Sequence, residues 1–139
     1  MFQVDTHAAR AVLDFLDSHP QLPRIAAIDH HSYSHPRDRR SYHDLQIDDE
    51  SIAAALAWHD VLTEVRVVLN DYPDSGSVHI GLYGLLPTGP GVHVYAAVRG
   101  DERIALLLNT DLRFISHGCE VDVSVLRRLT DARVAEAVA

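Results

Sequence analysis

Apolar and polar residues alternate with a period of two through the middle of the chain. Val78, Ile80 and Leu82 are interleaved with His79, Gly81 and Tyr83, and Val92, Val94, Ala96 and Val98 with His93, Tyr95, Ala97 and Arg99. This is the signature of strands with one aliphatic face and one mixed face. Pro87-Thr88-Gly89-Pro90-Gly91 separates the two runs and Gly100-Asp101 follows the second, and both contain the residue types that tight reversals need. Residues 77–109 therefore read as three consecutive strands. Val65, Val67 and Leu69 extend the pattern upstream, so an antiparallel meander is expected over about 64–109.

Flanking segments follow a helical period. Ala8, Ala9, Val12, Leu13, Phe15 and Leu16 form an apolar stripe over 6–19, capped by Asp5 or Thr6 and stopped by Pro20 and Pro23. Residues 24–31 and 41–47 read as a hairpin, with Tyr42, Asp44 and Gln46 facing away from His43, Leu45 and Ile47. An Ala-rich helix over about 49–62, starting at Asp48 or Asp49, presents Ile52, Ala55, Leu56 and His59 on one side. Residues 112–116 read as one more short strand. A last helix over 124–137 rests on Val125, Leu126, Leu129 and Ala132. The expected fold is one α+β domain over 1–139: an antiparallel sheet, formed by the meander and the hairpin 24–47, with three helices on its aliphatic face.

Composition narrows the classes of function. A chain of 139 residues can bury a core without disulfides, and a single cysteine, Cys119, fits a reducing compartment. No basic stretch followed by an apolar run opens the chain, and no apolar stretch approaches the roughly 18 residues of a membrane span, so a cytoplasmic protein without membrane contact is expected. The formal net charge of −8 argues against general nucleic-acid binding, which depends on neutralising phosphates. All twelve basic residues are arginine and only two asparagines occur, a bias that fits codon usage in a GC-rich genome.

Five features can carry chemistry. Ile28-Asp29-His30-His31, at the end of an aliphatic strand, resembles the Asp-His-His signature of the DHH phosphoesterases over four residues. The resemblance implies a strand-end Mn²⁺ site that activates water for attack on a phosphoester; that family also uses aspartates on an earlier strand and a second domain. More broadly, His30, His31, His35 and His43, with Asp29, Asp38 and Asp44 nearby, offer ligands suited to Zn²⁺ or Mn²⁺, and Asp29, His30, His31 and His43 are the expected set if a metal binds. Arg37, Arg39 and Arg40 form the one concentrated basic patch, suited to an anion or an acidic partner, although a charged hairpin tip also serves solubility alone. Cys119 follows His117-Gly118 ahead of a helix, where a thiol can be activated or simply packed.

The fifth feature is the mixed face of the meander, which carries His79, Tyr83, His93, Tyr95 and Arg99. Such half-apolar residues suit a protein interface or a shallow ligand site. Neither a nucleophile-base-orienter set nor a Gly-rich phosphate loop is visible. The expected role is a small acidic protein-binding or accessory domain, non-catalytic, without cofactor and self-associating; a metal-dependent phosphoesterase centred on Asp29, His30 and His31 is the alternative.

Overall fold

Five of the six strands form where alternation predicts them, and the sheet they build is mixed. In the computed structural model, which describes residues 6–32, 41–114 and 118–138 with side chains at all of these except 30–32, 41 and 134–138, the order of elements is α1 (Thr6–Ser18), β1 (Ile25–Ser32), β2 (Ser41–Ile47), α2 (Ile52–His59), β3 (Thr63–Tyr72), β4 (Ser77–Leu85), β5 (Gly91–Arg99), α3 (Gly100–Asn109), a 3-10 turn (Leu112–Phe114), β6 (Cys119–Val121) and α4 (Val123–Val138). The strands lie in the order β1-β2-β5-β4-β3-β6. All neighbours are antiparallel except β2 and β5, which run parallel. The chain is α+β as expected, with a mixed rather than a purely antiparallel sheet and with four helices rather than three.

Both differences have one origin. The expected third strand of the meander is α3: Gly100, at φ +60°, turns the chain out of the sheet, and Asp101 and Glu102 fall in the first helical turn, where acidic groups complement the dipole. The run Arg103-Ile104-Ala105-Leu106-Leu107-Leu108 is dominated by strong helix formers. Its apolar alternation at 104, 106 and 108 mimics a strand, yet Leu106 alone is fully buried, while Ile104 and Leu108 are exposed. With 100–109 gone from the sheet, the outer edge of β5 offers unpaired backbone groups. The N-terminal hairpin takes that edge, pairing His43 with Val92, Asp44 with His93, Leu45 with Val94 and Gln46 with Tyr95. The short strand expected at 112–116 is displaced too; its place is taken by Cys119–Val121, which pairs with Leu69, Val68 and Val67 at the other margin.

The aliphatic face carries the core. Leu45, Ile47, Val67, Leu69, Val78, Ile80, Leu82, Val92, Val94, Ala96 and Val98 meet Val12, Phe15, Ile52, Leu56, Trp58, Leu106 and Leu126 from the four helices. At about 1.5–3 kcal/mol for each fully buried aliphatic side chain, this layer dominates stability. Trp58, completely buried, satisfies its indole N–H on the Pro23 carbonyl at 2.9 Å, which ties α2 to the loop between α1 and β1.

The start of α2 is fixed by two side chains. Ser51, not Asp48 or Asp49, is the N-cap, accepting from the Ala54 N–H at 3.1 Å, because the Asp48 N–H is already given to the Arg24 carbonyl at 2.8 Å, continuing the hairpin ladder. Glu102 of α3 accepts from the Ile52 N–H at 2.9 Å, so one helix caps another across the fold. Replacing Glu102 by Ala should lower stability in urea melts by about 1–2 kcal/mol, since a partly buried N–H loses its acceptor; Glu102→Gln, which retains an acceptor, should lose less, and equal losses would assign the effect to charge instead.

Candidate functional site

The face of the sheet opposite the helices displays a row of rings. Because alternate residues of a strand share a face, His79, Gly81 and Tyr83 of β4 lie beside His93 and Tyr95 of β5, with Tyr83 directly opposite His93 and Gly81 opposite Tyr95. Tyr83 stacks on His93 at 4.1 Å between centroids with the planes 9° apart. His93 continues to Tyr95 at 5.3 Å, Tyr95 to His79 at 5.5 Å and His79 to Tyr72 of β3 at 4.4 Å. At the other end, Tyr42 of β2 meets Tyr83 edge-on at 5.7 Å. Such contacts contribute roughly 0.5–1.5 kcal/mol each beyond area burial.

The parallel ladder gives this row polar supports. Asp44 stands beside His93 and its Oδ1 lies 3.2 Å from Nδ1, with both side chains about 15% exposed (15% and 14%). Tyr95 donates its hydroxyl to Gln46 Oε1 at 3.4 Å. A Cβ on residue 81 would sit 2.8 Å from His93 Nε2 and 3.3 Å from the Val68 carbonyl; the ring lies over the bare backbone of Gly81, and that approach is why no side chain stands there. Around this gap is an open hollow of about 240 Å³ lined by Asp44, Asn70, Tyr72, His79, Gly81, Tyr83, His93 and Tyr95. Gly118 borders the face, packed against Val68 and Asn70.

Electrostatics differ along the row. Burial, then the charges of Arg99 and His93, hold the His79 pKa below the usual imidazole value. Burial, then Asp44, Asp29 and Tyr72, push the Tyr95 phenol above its usual value. Both rings are thus kept neutral at pH 7.

The expected metal set is divided between the two strands of the hairpin. In the hairpin register Asp29 faces Asp44, His30 faces His43 and His31 faces Tyr42. His43 is 5% exposed and lies on the helix side with Leu45 and Ile47. The side chains of His30 and His31, and all of His35, Arg37, Arg39, Arg40 and His117, lie outside the described residues. Among the described residues no group of three or more His, Cys, Asp or Glu is placed to hold a metal ion. Cys119 sits in β6, four residues ahead of the start of α4 at Val123, partly buried against the core.

Local pattern does not single out Asn70, Tyr72 or Gly81, and it offers Asp44 only as a neighbour of histidines. Gly81, a glycine inside an otherwise regular strand, was the available signal; the position of Asp44 depends on a parallel pairing that no local pattern encodes. A second surface, Ile104 and Leu108 of α3 with Phe114 beside Arg113, is also exposed. No helix among the described residues is long and apolar enough to cross a membrane. No family model matches the chain, and neither a curated protein nor a solved structure is significantly similar to it.

The depressed His79 pKa has a definite linkage sign. The folded state resists a proton that the unfolded chain accepts near pH 6.5, so the contribution of the neutral ring is intact above that pH and is lost as pH falls below it toward the folded pKa. Stability measured by urea between pH 7.5 and 5.5 should therefore decline less steeply in His79→Phe than in the native chain. Parallel profiles would show that the ring titrates freely.

Proposed function

We propose that this chain is a non-catalytic, cytoplasmic protein-binding domain that self-associates through the open face of its sheet. The observation that carries the reading is the continuous row from Tyr42 to Tyr72 on a face that none of the four helices lines. Aromatic residues with polar tips are the ones enriched at protein interfaces. Size supports a modest contact: four strands about 4.8 Å apart and about nine residues long present roughly 600 Å² per copy, at the lower limit of specific interfaces of about 1,200–2,000 Å² in total.

A two-fold pairing of this face sets His79 and His93 near their own copies. Protonation of His79 then places like charges together, and association weakens as pH falls below the usual imidazole value, because burial holds the His79 pKa under it. Light scattering at tens of micromolar, an order of magnitude chosen for a modest interface, should give a dimer mass at pH 8 and a lower mass at pH 5.5. Tyr83→Asp combined with Tyr95→Asp should be monomeric at both. That variant should stay folded, because the helix-side core supplies most of the stability. A native monomer at pH 8 would refute self-association through this face.

A further inference from the structure

Beyond the last turn of α1 lies an open cleft that shares no lining residue with the ring row. Its walls are Leu16, Pro20, Leu22, Pro23 and Ile25 over Trp58, and its volume of about 350 Å³ falls at the small end of the roughly 300–1,000 Å³ of ligand pockets. Two polar side chains border it. His19 is committed, giving its Nδ1–H to the Phe15 carbonyl at 2.8 Å and stacking on the Phe15 ring at 4.0 Å between centroids. Arg24 is exposed, and among the described residues its guanidinium has neither a hydrogen bond nor an ion pair, whereas Arg66, Arg99, Arg103, Arg127 and Arg133 each face a carboxylate. We propose that this cleft binds a small apolar carboxylate, its hydrocarbon body against Leu16, Leu22 and Ile25 and its carboxylate on the Arg24 guanidinium.

The cleft is built before any ligand arrives. Pro20 and Pro23 fix their own backbone angles, and the N–H groups of His19 and Leu22 donate to the Leu16 and His19 carbonyls at 3.2 and 3.1 Å. The Pro23 carbonyl accepts from the Trp58 indole at 2.9 Å and the Arg24 carbonyl from the Asp48 N–H at 2.8 Å. A wall tied at four points loses little further freedom when it is covered. Leu16, Leu22 and Ile25 are partly buried against the core, so a body that fills the cleft takes their remaining apolar surface out of water. At the rim, a guanidinium holds a carboxylate through two parallel hydrogen bonds. An amine would be repelled there, and a bare anion would leave the apolar walls wet. A cavity of about 150 Å³ holds one benzene, so about 350 Å³ has room for a ring with a short acid arm.

The test is an NMR titration of the full chain at pH 7.5 with 3-phenylpropionate, with its amide, the corresponding phenylpropylamine and acetate as comparisons. Trp58 is the only tryptophan, so the single indole N–H signal reports on the Pro23 wall. Saturable shifts of that signal and of the Leu22 and Ile25 amides are expected at about millimolar acid. Affinity should be about fivefold lower for the amide, lower again for the amine, and undetectable for acetate. Arg24→Gln should weaken the acid about fivefold, as loss of a charge-assisted pair does, and leave the amide unchanged. Its exposed side chain holds no other group in place, so the variant should keep the native urea midpoint. No saturable response to the acid, equal affinity for acid and amide, or unchanged acid affinity in the variant would overturn the proposal. If the same signals move when the chain alone is concentrated, and the acid has no effect, the cleft is covered by a second copy and the proposal fails. The mass measurement is independent of it: a chain that stays monomeric at pH 8 and binds the acid loses the self-associating face and keeps this site.

Discussion

Each central strand places its aliphatic side chains on one side, and four helices close over that side alone. The other side must then satisfy itself with its own residues. Rings stack on rings, an imidazole leans on a carboxylate, a phenol donates to an amide oxygen, and each of these contributes less than one buried leucine. The division explains how one sheet serves two purposes. The helix side holds the fold with a margin that the opposite side does not have to supply, so the opposite side can be composed of residues suited to contact.

Much of this was legible in the chain. Period-two runs at 78–82 and 92–98 placed β4 and β5 with the correct residues on each face, and the stripes at 8–16 and 125–132 placed α1 and α4. What escaped was an ambiguity of short apolar segments. Ile104, Leu106 and Leu108 fit a strand as well as a helix by spacing, and the decision came from composition: one β-branched residue in a run of Leu, Ala, Glu and Arg. The consequence reaches the hairpin, since a third meander strand would occupy the edge to which the hairpin is bound.

The site was legible as a set and not as a geometry. His79, Tyr83, His93 and Tyr95 share a face because of local alternation, whereas the Asp44 contact depends on a partner 49 residues away. The histidines of 30, 31 and 43 show the converse. They are close in sequence and suited to metal chemistry, yet His43, opposite His30 in the hairpin register, ends among aliphatic residues on the helix side. Proximity along a strand is a poor guide to convergence, and spacing by two would have been the better filter.

The parallel ladder also implies an order of assembly. β3, β4 and β5 are joined by short turns, so their pairing closes small loops, whereas bringing β2 to β5 closes a loop of about fifty residues at greater entropic cost and lower rate. A meander without the hairpin has one long edge of β5 bare, and His93 and Tyr95 then lack Asp44 and Gln46 at their sides. Any state in which the meander is paired and the hairpin is not leaves β5 open to a neighbour, and the hairpin that completes the ring row is also what ends that exposure.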